Sequence, residues 1–205
     1  MNAKGDVISL YRIALLAACV AAVALLIGGV ALAIVGGSPS GQNLLIFTVG
    51  SVAIILVSLA DIFTVPGLVA VLWRESRALT AMAAISAVVG DLLGVTSGLF
   101  QAALIPMSQA PTGAGSSTVE TLVLLESTFG TAGFLLVGVS FLLFGFSILR
   151  GMFSKWIGWV AIAAGVFSIL GQVPALAMLF MLASLTYLLW YVGLAARFSR
   201  LARDA

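Results

Sequence analysis

Histidine is absent from this sequence, cysteine occurs once, and charged residues make up only 8% of the 205 positions. Without histidine, histidine-ligated zinc or haem, the two-histidine iron site and Ser-His or Cys-His catalysis are excluded. The single Cys19 cannot form an intramolecular disulfide, and within a run of alanine and leucine it is expected to be a small core residue. We therefore predict no metal, no cofactor and no catalytic residue.

Apolar residues dominate what is present. They make up 62% of the chain, the mean hydropathy is +1.26, and the net charge is only +2. A soluble domain carries roughly 25% charged residues, so most of this surface must face lipid. The composition predicts an all-α, polytopic membrane protein whose main partner is the lipid bilayer. No basic patch with interleaved aromatic residues is present, which argues against nucleic acid.

Long apolar runs predict six transmembrane helices in a single membrane domain, residues 1–205. Each run is long enough, or nearly so, for a hydrocarbon core of roughly 30 Å. A cleaved signal peptide is the alternative for the first run, but that run is longer than a signal sequence requires. The predicted spans are residues 13–35, 44–72, 79–105, 118–149, 156–171 and 175–196, with turns at 36–41 and 106–118 and a capping box that starts at Ser117.

The basic residues predict the orientation of the chain. All nine lysines and arginines fall at the N-terminus, in the second or fourth connection, or at the C-terminus. Because basic residues are retained on the cytoplasmic side during insertion, both termini are expected in the cytoplasm, with the protein in the cell membrane. Aromatic residues cluster near the same ends, and we interpret them as interfacial anchors rather than as a pigment or quinone site. They are Tyr11, Trp73, Trp156, Trp159, Tyr187, Trp190 and Tyr191.

Helix 3 carries a stripe of small residues at spacings of four. Close backbone contact supplies much of the association energy between helices in lipid. This stripe is expected to pack on helix 2 or helix 4, although a contact with a second copy or with a membrane partner protein is the alternative. Its members are Ser86, Gly90, Gly94, Gly98 and Ala102.

Two isolated acids, Asp61 and Asp91, lie fifteen residues either side of Ser76 in the predicted cytoplasmic turn. In an antiparallel hairpin this symmetry gives them the same depth, roughly 18 Å at 1.5 Å per residue. Whether they face each other stays open. No lysine or arginine lies at that depth, so each acid must be protonated, hydrated or paired with an external cation. Such residues are rare in membrane spans and are functional candidates.

Four further polar side chains are candidates for binding an ion, a proton or a small ligand. Ser58 and Thr64 flank Asp61 at three-residue spacing and share its helix face loosely. Pro66 has no N–H and frees the carbonyl of Ile62, which could also serve as a ligand. Gln101 and Glu126 lie nearer the outer side of the predicted bundle, and simple hydration explains Glu126. The four are Ser58, Thr64, Gln101 and Glu126.

The leading hypothesis is a non-enzymatic protein that handles a proton, a cation or a small solute through the acidic pair. The alternative is a structural or accessory subunit that docks a partner through the small-residue face of helix 3. A third hypothesis is an enzyme similar to intramembrane aspartyl proteases, whose motifs are matched only in part here. The partial matches are Ala60-Asp61, Gly90-Asp91 and Pro174-Ala175-Leu176.

The segment from Phe146 to Gly165, with its basic turn Arg150–Lys155, and the run Ala60–Pro66 resemble a known family. The chain is similar to an uncharacterised family of small bacterial and archaeal six-span membrane proteins, catalogued only as a domain of unknown function. The resemblance covers most of the chain and implies the same topology. It implies no activity and no catalytic residues.

Overall fold

The computed structural model describes residues 3–35, 44–107, 116–151, 153–176 and 178–204. Over this part of the chain it contains six α-helices and one 3-10 turn, at Pro174–Leu176, and no strand. The predicted turn at 36–41 and most of the predicted connection at 106–118 lie outside the described residues. The helices are α1 (Ala3–Val35), α2 (Leu44–Leu72), α3 (Arg77–Met107), α4 (Ser116–Arg150), α5 (Lys155–Leu170) and α6 (Met178–Asp204).

The helix lengths confirm the predicted all-helical membrane fold. Among the described residues, α1 to α4 and α6 are long and apolar enough to cross a membrane. Helix α5 has 16 residues, or about 24 Å at 1.5 Å per residue. That is less than a hydrocarbon core of roughly 30 Å, so its crossing stays a prediction.

Several helices extend past the predicted spans, because a helix satisfies its own backbone hydrogen bonds in water as well as in lipid. Helix α1 begins at Ala3 rather than Ile13, and α6 continues to Asp204. The predicted cap of α4 is wrong by about a residue. Helix α4 already includes Ser116. The Thr121 hydroxyl donates to the Ser117 carbonyl at 2.7 Å, a bond that spans four residues within a helix.

The six helices form a closed ring in chain order. Each helix packs on its sequence neighbours, and α1 packs on α6 to close the ring. Neighbours run antiparallel, as α1 and α2 show. A Cβ at Gly28, late in α1, would lie 2.8 Å from the Cβ of Ala53, early in α2. A Cβ at Gly67, late in α2, would lie 2.5 Å from that of Ala14, early in α1. The interior of the ring is therefore bounded by all six helices.

One end of the ring holds both chain ends of the described structure, and we call it the terminal end. There Tyr11 of α1 stacks on Phe198 of α6, with ring centroids 6.3 Å apart. A Cβ at Gly67 of α2 would lie 3.1 Å from Cζ of Phe198, and one at Gly151 would lie 2.9 Å from Cγ of Glu75. The start of α1, the end of α6 and the turns that follow α2 and α4 thus meet at this end. We call the other end of the ring the opposite end.

The small-residue stripe of α3 packs inside the ring, against both helices that were expected. A Cβ at Gly90 would lie 2.9 Å from the backbone nitrogen of Val137 in α4, and one at Gly98 would lie 2.6 Å from Cγ1 of Ile55 in α2. A Cβ at Gly94 would lie 2.7 Å from the hydroxyl oxygen of Ser58. The central positions of this face therefore make contacts inside the ring, with α2 and α4.

Two interpretations made from the sequence are wrong, one of three aromatic residues on α6 and one of Cys19. Tyr187, Trp190 and Tyr191 are 7%, 1% and 2% exposed, so they are core residues and not interfacial anchors, because α6 turns this face into the ring. Cys19 is exposed on α1 rather than buried, because the buried stripe of that helix consists of alanines on another face. By contrast, Trp156 and Trp159 are exposed near the terminal end.

Candidate functional site

The two intramembrane aspartates meet. Asp61 on α2 and Asp91 on α3 are 6% and 4% exposed, and their carboxyl groups lie close enough to interact directly. The hairpin between α2 and α3 is tight: the Thr80 hydroxyl donates to the Leu72 carbonyl at 3.2 Å across the turn. Antiparallel packing from this turn gives the two acids equal depth, as their spacing predicted. Their facing, which the sequence left open, follows from the packing of α2 on α3.

Two tyrosines of α6 complete this cluster. The hydroxyl of Tyr191 lies beside the carboxyl of Asp61 and interacts with it. One helical turn earlier, the ring of Tyr187 stacks on Phe141 with centroids 4.6 Å apart. The Tyr187 hydroxyl lies toward Ser168 but has no partner within hydrogen-bond geometry. The Ser168 hydroxyl itself donates to the Phe134 carbonyl at 3.1 Å.

Sequence reasoning missed these tyrosines because it assigned them to the membrane interface. One signal could have found them. They lie four residues apart, on one face of the helix, and Tyr187 precedes the first arginine of the tail by ten residues. At 1.5 Å per residue that is about 15 Å along the helix, a depth close to that argued for the aspartates.

A cavity of about 180 Å³ lies inside the ring and extends from this cluster toward the opposite end. Its walls come from α1, α2, α3, α4 and α6, and they consist mainly of glycine, alanine and other apolar residues. The glycines create the space, since a wall of larger side chains would fill it. The polar side chains that line the cavity are Ser58, Asp91, Ser97, Glu126, Ser184, Tyr187 and Tyr191.

Glu126 marks the part of the cavity nearer the opposite end. Ser97 lies six residues beyond Asp91 on α3, or about 9 Å along the helix. Its hydroxyl lies 3.1 Å from the Glu126 carbonyl oxygen and 3.4 Å from the carboxyl oxygen Oε1. Glu126 is half-buried and Gly29, which also lines the cavity, is exposed. The cavity therefore reaches the surface of the ring here, while Asp91 lies at its floor.

Apolar packing closes the ring between the acid pair and the terminal end. Leu68 and Leu72 of α2, Ile148 of α4, and Leu194 and Phe198 of α6 are each no more than 2% exposed. They belong to one continuous cluster of buried side chains. Among the described residues, this packing closes the path from the terminal end of the ring to the acids.

Some of the predicted candidates do not join the site. The Thr64 hydroxyl donates to the carbonyl of Ala60 in its own helix, at 3.0 Å, and is fully buried outside the cavity wall. Gln101 is half-buried on α3 and does not line the cavity. Pro66 is exposed, so the backbone carbonyl that it frees lies away from the acids. Ser58 and Glu126 do line the cavity.

The described residues hold no group of three or more Cys, Asp or Glu side chains that could bind a metal ion. The Pro174–Leu176 segment, which resembles part of the aspartyl protease signature, forms an exposed 3-10 turn. That turn precedes α6 at the opposite end and does not line the cavity. The structure therefore separates this segment from the two aspartates.

The fold and the site define a multi-pass helical membrane protein with an internal cavity that ends at a buried pair of carboxyl groups. The chain belongs to the family described as "Domain of unknown function (DUF4386)", whose model matches residues 40–196. The match includes both acids and both tyrosines, whereas α1 precedes it. Neither the curated proteins nor the solved structures gave a match to this chain.

Proposed function

We propose that this protein is a non-enzymatic membrane protein that binds a proton or another small cation at Asp61 and Asp91. The observation that carries the proposal is that the two carboxyl groups meet and that one of them, on Asp91, lies at the floor of a cavity that no described lysine or arginine lines. Two carboxyl groups in contact repel each other when both are ionised. A shared proton or a bound cation relieves that repulsion.

The cavity supports transfer of the cation rather than storage alone. Polar groups follow one another along its wall: Glu126 and Ser97 nearer the opposite end, then Ser58, then Asp91. Such a series allows water to enter and a proton to be relayed. The apolar packing beyond the acids acts as the closed side of the pathway, so transfer across the membrane requires a rearrangement of that packing.

The orientation of the protein in the membrane is part of the same proposal. All nine basic residues lie toward the terminal end by their positions in the chain. Because basic residues stay on the cytoplasmic side, we place the terminal end in the cytoplasm of a cell membrane. The cavity then faces the outside of the cell, and the acids receive their cation from there.

The test is a flux measurement in proteoliposomes that contain a pH-sensitive dye. We expect the wild type to dissipate an imposed proton gradient faster than protein-free liposomes, and we expect Asp61→Asn and Asp91→Asn to abolish the difference. Glu120→Gln is the matched control, because Glu120 is an exposed acid on α4 that does not line the cavity. Equal rates for wild-type and empty liposomes, with protons and with sodium, would refute the proposal.

A further inference from the structure

The cavity carries acids and no base. Its lining residues include Asp91 and Glu126 but neither lysine nor arginine, and the chain contains no histidine. An anionic or zwitterionic solute with a carboxylate would find no positive partner there, and each acid would repel its negative charge when ionised. The electrostatics of the wall therefore select a cation.

The size and the chemistry of the wall argue against a bare metal ion as the main occupant. About 180 Å³ is an order of magnitude more than the roughly 15 Å³ that one water requires. Most of the wall is apolar, and the described residues offer no group of three acidic or thiol ligands for a metal. A ligand that fills this space needs an apolar body as well as a charge.

Aromatic rings line the same space. Phe134 of α4 and Phe180 of α6 pack edge to face with centroids 4.8 Å apart, and both line the cavity. The rings of Tyr187 and Tyr191 line it as well. Aromatic faces attract ammonium groups and pack against hydrocarbon, so these rings suit an organic cation better than a hydrated inorganic one.

Two polar atoms at the floor have no partner. The Oδ2 atom of Asp91 and the hydroxyl oxygen of Tyr187 are buried without a hydrogen bond, which is costly in a membrane interior. An ammonium group carries several N–H donors and no acceptor. An ammonium group placed between the two atoms would donate an N–H to each of them.

We infer that the cavity binds a small organic ammonium ion, with its nitrogen at Asp91 and Tyr187 and its hydrocarbon body against the glycine-lined and aromatic wall. This inference rests on the proposed function, because it names the cation that the acidic pair takes. The ammonium belongs either to a free amine or to the headgroup of an ethanolamine lipid.

The test is isothermal titration of the detergent-solubilised protein, in a detergent without an amine, with n-butylammonium and benzylammonium. We expect saturable binding of both, and no binding of pentan-1-ol, which has a similar size but no charge, or of tetrabutylammonium, which is bulkier and whose nitrogen carries no N–H donor. Asp91→Asn should weaken binding by about tenfold or more, since a hydrogen bond to a charged group is lost. Glu120→Gln should leave the affinity unchanged.

The size and charge selectivity is measured on the wild type, so it stays informative if Asp91→Asn fails to fold. Equal binding of butylammonium and pentan-1-ol, or amine binding that survives Asp91→Asn, would overturn the inference. Proton flux in proteoliposomes without amine binding overturns the inference but leaves the proposed function intact, whereas absence of both refutes both. Adding phosphatidylethanolamine distinguishes the two sources: competition assigns the site to the lipid headgroup, and no competition assigns it to a free amine.

Discussion

Asp61 is the residue at which the buried polar side chains of the site meet. Its carboxyl lies against that of Asp91 and beside the hydroxyl of Tyr191, so groups from three helices depend on its position. A buried polar group without a partner costs more than its hydrogen bond contributes. Changes at this cluster therefore affect both stability and the handling of the cation.

Tyr191→Phe removes the hydroxyl that lies beside Asp61 and leaves the ring in place. We expect the free energy of unfolding to fall by about 1 kcal/mol and the cation flux in proteoliposomes to fall several-fold, because the carboxyl loses the hydroxyl that positions it. Thermal unfolding in detergent and the dye assay measure the two effects.

Tyr11→Phe is the matched control for this change. Tyr11 is half-buried at the terminal end, where its ring stacks on Phe198, and it lies far from the acids along the helix axis. Its variant should behave as the wild type in the flux assay. A Tyr191→Phe variant with wild-type flux would show that the hydroxyl does not position Asp61.

The packing of α3 on α4 depends on the absence of side chains at the contact. A Cβ at Gly90 would lie 2.8 Å from Cγ2 of Val137 and 3.0 Å from the backbone oxygen of Gly133, and one at Gly133 would lie 2.9 Å from the oxygen of Gly90. Backbone atoms cannot move aside as the end of a flexible side chain can. This contact also holds Asp91, which is adjacent in sequence to Gly90.

Gly90→Ala should therefore separate α3 from α4. We expect it to lower the free energy of unfolding by about 1–3 kcal/mol, as overpacking of a close contact does. Gly29→Ala is the control, because Gly29 is exposed on α1 and a Cβ there meets nothing within 4 Å. That variant should be neutral or stabilised by up to about 1 kcal/mol, since alanine favours the helix.

Thermal unfolding in the same detergent compares the two glycine variants. If Gly90→Ala unfolds at the temperature of Gly29→Ala, the α3–α4 contact is looser than the structure indicates. The expected loss of stability comes from the contact between α3 and α4. The sequence shows that these residues are small, but only the structure shows which of them touch backbone atoms.

The ring as a whole has one closed end and one end with a cavity, and the orientation decides which side of the membrane each end faces. Single-cysteine labelling checks it. With Cys19 replaced by serine, we expect a membrane-impermeant maleimide to label Glu120→Cys on intact cells. It should label Arg203→Cys only after the membrane is permeabilised. Glu120 and Arg203 are suited to this because α4 begins and α6 ends close to them.

The reverse labelling pattern would mean that the cavity faces the cytoplasm, and the proposed direction of cation entry would then be wrong. Equal labelling of both positions on intact cells would indicate a leaky preparation, which a cytoplasmic marker enzyme detects. The helix ring itself is independent of this result, because packing between helices does not depend on the direction of insertion.

The sequence by itself determined the helical membrane class, the position of most helices and the depth of the two aspartates. These depend on local properties: the length of apolar runs, the turn residues between them, and a rise of 1.5 Å per residue. They need no knowledge of which helix faces which. The family match over residues 40–196 agrees with this level of description.

Only the tertiary structure decided which faces meet. Nearly every face of a membrane helix is apolar, so hydrophobic periodicity does not reveal the buried side as it does in a soluble helix. For this reason Tyr187 and Tyr191 were assigned to the interface, Cys19 to the core, and Thr64 to the acid site. The closure of the ring by α1 on α6 brings the α6 tyrosines to Asp61 and Asp91, and leaves the cavity beside them.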